Sequence, residues 1–219
     1  MKQIITFLFV LCALTIYSQE VIVSAGTNYT DYSFASPANG AEENFSATGS
    51  GSYIEVGYSK KLGKKTSKSM SYSISVNLNE YNANSGNLAN SYSWETSYIG
   101  VRNGLSLPLF SMDNGLGLNL GAGVNVSTIV HGQQNINGMI YDIAEHKEFE
   151  GLTAWGDVGL NLTFDFKENI KLALGYSMSK NYSLSGKDIW HNIFYSNEAI
   201  ENVQFENSNL KLSLIYLLN

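Results

Sequence analysis

Chemistry in this chain has to come from few residues, because only 15% of its 219 positions are charged. Four of the charged positions share a placement. Glu55, Arg102, Asp157 and Lys211 each fall on the polar side of an alternating apolar/polar segment. Each lies roughly eight to eleven residues from the nearest tight connection or terminus, about 25 Å along a strand before tilt. Their signs cancel, and opposite charges enclosed together are tolerated where a lone one is costly. The four are therefore expected to meet as a charge cluster that plugs an enclosed space, four separately solvated residues being the alternative. Asp165 and Lys171 flank Lys167-Glu168-Asn169 with the same parity. Across a three-residue turn they should stand directly opposite as a structural ion pair worth a few tenths to about 1 kcal/mol.

Other combinations lead less far. His131, His146 and His191 fall in or beside long connections with no fixed ligand spacing, so exposed loop histidines are expected rather than a metal or catalytic site. There is no P-loop, GxSxG, HExxH or dinucleotide fingerprint, and the glycines from Gly115 to Gly123 alternate along a strand instead of opening a helix. No catalytic residue, metal ligand or cofactor is expected. The run Lys60, Lys61, Lys64, Lys65 and Lys68 resembles a nucleic-acid patch in isolation, but a net charge of −6 argues against that partner. A short turn facing lipid phosphates explains the lysines better. Asp188 to Tyr195 is unusually apolar for a loop, and Trp190, Ile193, Phe194 and Tyr195 are expected to form a surface-binding patch, with packing against other loops as the plainer alternative.

The elements that must position these residues are strands. Met1-Lys2-Gln3, an apolar run from Ile4 to Ile16 and then Tyr17-Ser18-Gln19-Glu20 have the form of a secretory signal peptide. This divides the chain into a leader, 1–19, and one domain, 20–219. Beyond the leader no apolar run approaches the roughly 18 residues of a membrane helix. The single cysteine, Cys12, lies within the leader, so disulfide frameworks and thiolate metal sites are excluded. What remains is strict alternation. Leu116, Leu118, Leu120, Ala122, Val124 and Val126 alternate with Gly117, Asn119, Gly121, Gly123 and Asn125. The same split recurs over 54–58, 70–78, 158–166, 170–178 and 210–218. Only Tyr92 to Leu109 is less clean, since Asn103 shares a face with Ile99, Val101, Leu105 and Leu107; a bulge or a tolerated polar residue is expected there.

Connections alternate as well. Short links are expected at Gly63–Ser67, Ser111–Gly115 and Lys167–Asn169, and long ones near Ser33–Gly49, Asn82–Ser91, Gly132–Gly151 and Ser185–Val203. This predicts an all-β fold, a transmembrane antiparallel up-and-down barrel of about eight strands with tight periplasmic turns and long outer loops. A soluble lipocalin-like barrel would also alternate, but would carry Lys, Glu, Thr and Arg outside. Here the polar face is mainly Gly, Ser, Asn and Ala, which suits the cramped lumen of a small barrel. Aromatic girdles are expected at both ends: Tyr58, Tyr72, Phe110, Phe164, Phe166 and Tyr216 at one, Tyr29, Tyr81, Tyr92, Trp94, Tyr182 and Phe205 at the other.

The leader ending in Ser-Gln-Glu, the hairpin from Trp155 to Ser179 and the segment from Tyr98 to Phe110 together resemble the small OmpA-like or OmpX-like outer-membrane barrels in their Bacteroidota form. The chain departs from the aromatic ending common in that group by closing on Asn219. The resemblance implies secretion, insertion by the barrel-assembly machinery, and contact with outer-membrane lipids and lipopolysaccharide in a Gram-negative cell. It implies no single activity. A non-enzymatic structural or surface-interaction role is expected, with a barrel enzyme acting on lipids at the outer rim as the alternative.

Overall fold

The structure, a computed structural model, describes residues 19–36, 43–62, 69–86, 91–136, 138–144, 152–183 and 204–218. The leader, the 184–203 connection with Trp190, Ile193, Phe194 and Tyr195, and His146 and His191 lie outside the described residues. The described elements are all strands: β1 (Gln19–Ser36), β2 (Glu43–Lys61), β3 (Ser71–Gly86), β4 (Ser91–Ser111), β5 (Leu116–Ile136), β6 (Met139–Asp142), β7 (Thr153–Lys167), β8 (Ile170–Ser183) and β9 (Gln204–Leu218). Each long strand pairs antiparallel with its neighbours. β9 returns to β1 over fifteen register positions from Gln19↔Leu218 to Ser33↔Gln204. Eight strands thus close into a barrel, which removes the unpaired sheet edges that a soluble sheet must protect. The short β6 pairs with the far end of β5 alone among the described residues, as a hairpin standing beyond the barrel wall.

The two faces are inverted relative to a soluble protein. Ser24, Asn28, Glu55, Ser75, Asn77, Asn125, Ser127 and Ser213 are buried, while Val56, Val124, Val158 and Leu174 are exposed. Leu212 is 60% exposed and Val76 54%, in the middle of their strands. About four outward residues per strand make a band near 20 Å tall after tilt, close to the ~25 Å apolar band of membrane barrels. Such a surface is stable only against lipid, because exposing a continuous apolar belt to water forfeits the burial that drives folding.

Several local expectations are corrected. Connections expected to be long at 33–49 and 82–91 shrink to 37–42 and 87–90, because β1 to β4 continue past the apolar band. There the outward positions Thr48, Ser50, Asn84 and Glu95 are polar while Ala47 and Ala83 are buried on the inner face, so the apolar-out alternation fades from the sequence while the backbone ladder goes on. The β7–β8 turn holds two residues, Glu168 and Asn169, between the pair Lys167↔Ile170, and Phe166 is bulged out of register. In the β4–β5 ladder the bulges fall at Val130 of β5 and Leu109 of β4, away from Asn103, which stays on the outer face with its Oδ1 accepting from Tyr72 Oη at 2.6 Å. The tight β4–β5 turn requires Gly115, whose φ of 83° disfavours a β-carbon.

Candidate functional site

Among the described residues buried polar groups converge in the lumen, whose geometry follows from which strands carry glycine. On one wall, Lys211 of β9 and Tyr53 of β2 are both partners of Gly26 in the intervening β1. With no side chain at Gly26, Lys211 lies across β1, its Nζ 5.5 Å from the Tyr53 ring centre and 3.2 Å from Glu55 Oε2. Glu55 also accepts from the Tyr53 and Ser75 hydroxyls. The opposite wall repeats the device. Arg102 of β4 reaches across β5 to Asp157 of β7, passing over Gly123, the register partner of Asp157. Arg102 Nη2 donates to Asp157 Oδ1 at 2.6 Å and Nε to Oδ2 at 2.9 Å, a bidentate pair. A β-carbon at Gly123 would stand 2.7 Å from Arg102 Nη2, and one at Gly104 2.7 Å from Nη1.

The four charges predicted to meet form two directly bonded ion pairs projecting from opposite walls, with Glu55 and Arg102 close enough to interact electrostatically across the lumen. Arg102, Asp157 and Lys211 border a common cavity of about 40 Å³, room for roughly two or three waters. On its far side an asparagine chain crosses the lumen. Asn207 and Asn209 Nδ2 donate to Asn28 Oδ1, Asn28 to Asn79, Asn79 to Asn77 and Asn77 to Asn125. Small amides span the barrel here because each can both give and accept a hydrogen bond.

Further out, the lumen becomes apolar. Tyr81, Trp94, Tyr98 and Trp155 are buried with Ala47, Ala83 and Ile143. Tyr81 stacks on Trp155 at 4.7 Å, and Trp155 Nε1 donates to Ser127 Oγ at 3.1 Å. Ile143, just after β6, is tethered by its backbone N–H to the Gly132 carbonyl at 3.0 Å, placing the foot of the hairpin in the mouth. This corrects the outer girdle among the described side chains: Tyr81 and Trp94 face the lumen, while Tyr29 is exposed on the lipid side. The aromatic cap was missed although its parity is legible. Tyr81 shares the odd-numbered face of β3 with Ser75 and Asn77, and Trp155 shares that of Asp157.

Asp165 and Lys171 are register partners with Nζ 3.6 Å from Oδ1, at the tight-turn mouth, with side chains 52% and 25% exposed respectively. His131 is an exposed residue opposite Ser97. Among the described residues no group of three or more His, Cys, Asp or Glu is placed to hold a metal.

A closed eight-stranded barrel with an apolar exterior and a polar, obstructed lumen defines the class as a small membrane-type β-barrel. No protein-family model and no curated protein matches the chain. Among solved structures it is similar to Neisserial surface protein A (TM-score 0.48, 12% identity, 90% of this chain and 96% of that one). It is also similar to the N-terminal β-barrel domain of Pseudomonas aeruginosa OprF (TM-score 0.42, 12% identity, 90% and 97%). The outer membrane enzyme PagL has a TM-score of 0.43 at 10% identity, covering 85% and 97%. Topology by itself selects no activity.

Proposed function

We propose that this chain is a non-enzymatic outer-membrane barrel of a Gram-negative cell, of the Bacteroidota type on its Ser18-Gln19-Glu20 leader junction, with a structural or surface-interaction role and a lumen that does not conduct. The supporting observation is the double obstruction: two ion pairs from opposite walls, Glu55–Lys211 and Arg102–Asp157, followed by the Tyr81–Trp155 cap. A pore would spend its lumen on solvated charge rather than on paired charge and stacked rings. In this reading the tight turns face the periplasm, lipopolysaccharide and phospholipid contact the apolar band, and the barrel-assembly machinery inserts the chain. The β5–β6 hairpin and the outer connections, including Trp190, Ile193, Phe194 and Tyr195, present the surface for an external partner.

Planar-bilayer recording tests the closed lumen. The unmutated barrel should give no sustained conductance, and a Glu55→Ala/Arg102→Ala variant should give small, flickering openings. Robust conductance by the unmutated protein would overturn the plug.

A further inference from the structure

The ladder between β2 and β3 is interrupted. Register pairing runs from Lys61↔Ser71 to Tyr53↔Asn79 and resumes at Thr48↔Asn84, so among the described residues Gly49 to Ser52 and Glu80 to Ala83 face each other without pairing. β1 pairs with the same stretch of β2 unbroken, Asn28↔Gly51 and Tyr29↔Ser50 included. On the β3 side, side chains stand in for the backbone. Ser52 N–H donates to Glu80 Oε2 at 3.2 Å, and the Ser52 hydroxyl donates to the same oxygen at 2.7 Å. Asn82 Nδ2 donates to the Ser50 carbonyl at 3.1 Å. From inside, Asn28 of β1 reaches over Gly51, and its Nδ2 donates to the Ser52 and Glu80 carbonyls, each at 3.2 Å. Two glycines permit the arrangement: a β-carbon at Gly51 would collide with the Glu80 carbonyl oxygen, and one at Gly49 with that of Asn82.

The interruption starts where the apolar exterior stops. The outward row of β2 runs Val56, Ile54 and then Ser52, Ser50 and Thr48, and that of β3 runs Val76, Leu78 and then Glu80, Asn82 and Asn84. In the membrane-barrel reading this is the interface, where water can take over a backbone group that a side chain releases, as it cannot in hydrocarbon. An exposed side chain swings away from its partner without changing a strand dihedral, whereas a ladder bond yields only if the strand moves. We propose that the β2–β3 wall opens locally at this seam, with Glu80 as its outer clasp and Asn28 as its inner one. Tyr81 and Ala83, buried inward residues of the same stretch of β3, stand directly behind it. Opening brings the outer rim of the membrane up to the Tyr81–Trp155 stack and leaves the two ion pairs beneath enclosed. This rests on the membrane-barrel reading above for its setting and adds a moving part to the wall.

Backbone amides alternate in direction along a strand, so those of Ser50 and Ser52 point to β3 while that of Gly51 points to β1. The test is amide hydrogen exchange, read by NMR on the full barrel in nanodiscs of dimyristoylphosphatidylcholine. Protection of Ser50 and Ser52 should be about 100-fold lower than that of Gly51 beside them and of Ile54 in the intact ladder. Glu80→Ala should lower protection of Ser52 by about a further tenfold. Glu80→Gln, which keeps an acceptor oxygen, should restore most of it, and Gly51 should not change in either variant. Ser50 and Ser52 as protected as Gly51 and Ile54 would overturn the seam with the barrel reading intact. Equal, weak protection of Ser50, Gly51 and Ser52 would replace it with fraying of the whole outer end of β2. Unchanged protection of Ser52 in Glu80→Ala would remove the clasp and defeat the proposal. Absence of a folded spectrum in lipid would overturn the membrane reading, and the seam with it.

Discussion

Replacing Arg102 by Met keeps most of the side-chain stem and removes the bidentate guanidinium, leaving Asp157 facing the lumen without the two bonds of 2.6 and 2.9 Å. The pair is neither dry nor wet, with side chains 17% and 12% exposed. A fully buried pair broken on one side costs about 3–5 kcal/mol, and an exposed one at most about 1. Shielding of this degree places Arg102→Met at about 2–3 kcal/mol, or roughly 30- to 150-fold in the unfolding equilibrium constant. Asp157→Asn should cost less, since its amide can still accept from Arg102. The double variant should recover part of the loss, with a coupling of about 1–2 kcal/mol. Equilibrium urea unfolding in phospholipid vesicles, followed by the fluorescence of the buried Trp94 and Trp155, measures all four corners of this cycle. A single-variant loss below about 0.5 kcal/mol, together with additivity in the double, would refute the reasoning. The charges would then be solvated independently and the lumen would be wet at that level.

Two further ion pairs should differ sharply: Lys211→Met strands a nearly buried Glu55 and should cost about 2–3 kcal/mol, whereas Lys171→Met at the open mouth should cost under about 0.5, both by the same unfolding assay. Gly123→Ala should destabilise by about 1–3 kcal/mol through overpacking, because its β-carbon would meet Arg102 Nη2 at 2.7 Å and the Asn103 carbonyl oxygen at 2.9 Å. Combining it with Arg102→Met should relieve part of that cost, which the cycle reads directly. Trypsin added to intact cells should cut at Lys147 or Lys187 and spare Lys60 to Lys68; the reverse pattern on a gel would invert the orientation.

Parity alone determined much of this protein. Ile54 beside Glu55, and Val158 beside Asp157, already place the charge on the face opposite the apolar row, since side chains alternate strictly along a strand. The small residues of that polar face, Gly121, Gly123 and Asn125, then identify it as an interior too narrow for ordinary surface charges. The partner of each charge was another matter. Lys211 reaches Glu55 only because β9 closes onto β1 and Gly26 stands between them, a register set by ring closure across most of the chain. Arg102 finds Asp157 rather than another carboxylate for the corresponding reason at Gly123. Tyr81 and Trp94 show why position along a strand misleads where face does not: rings near strand ends suit a lipid girdle and a lumen cap equally well, and only the inward direction separates them. The bulged Phe166 had no local signature, because the two-residue turn and the compensating extra residue leave Asp165 opposite Lys171, as a three-residue turn would. Local alternation specifies which face a side chain occupies, whereas contact across the lumen depends on the register of all eight strands at once, and that exists only when the barrel is closed.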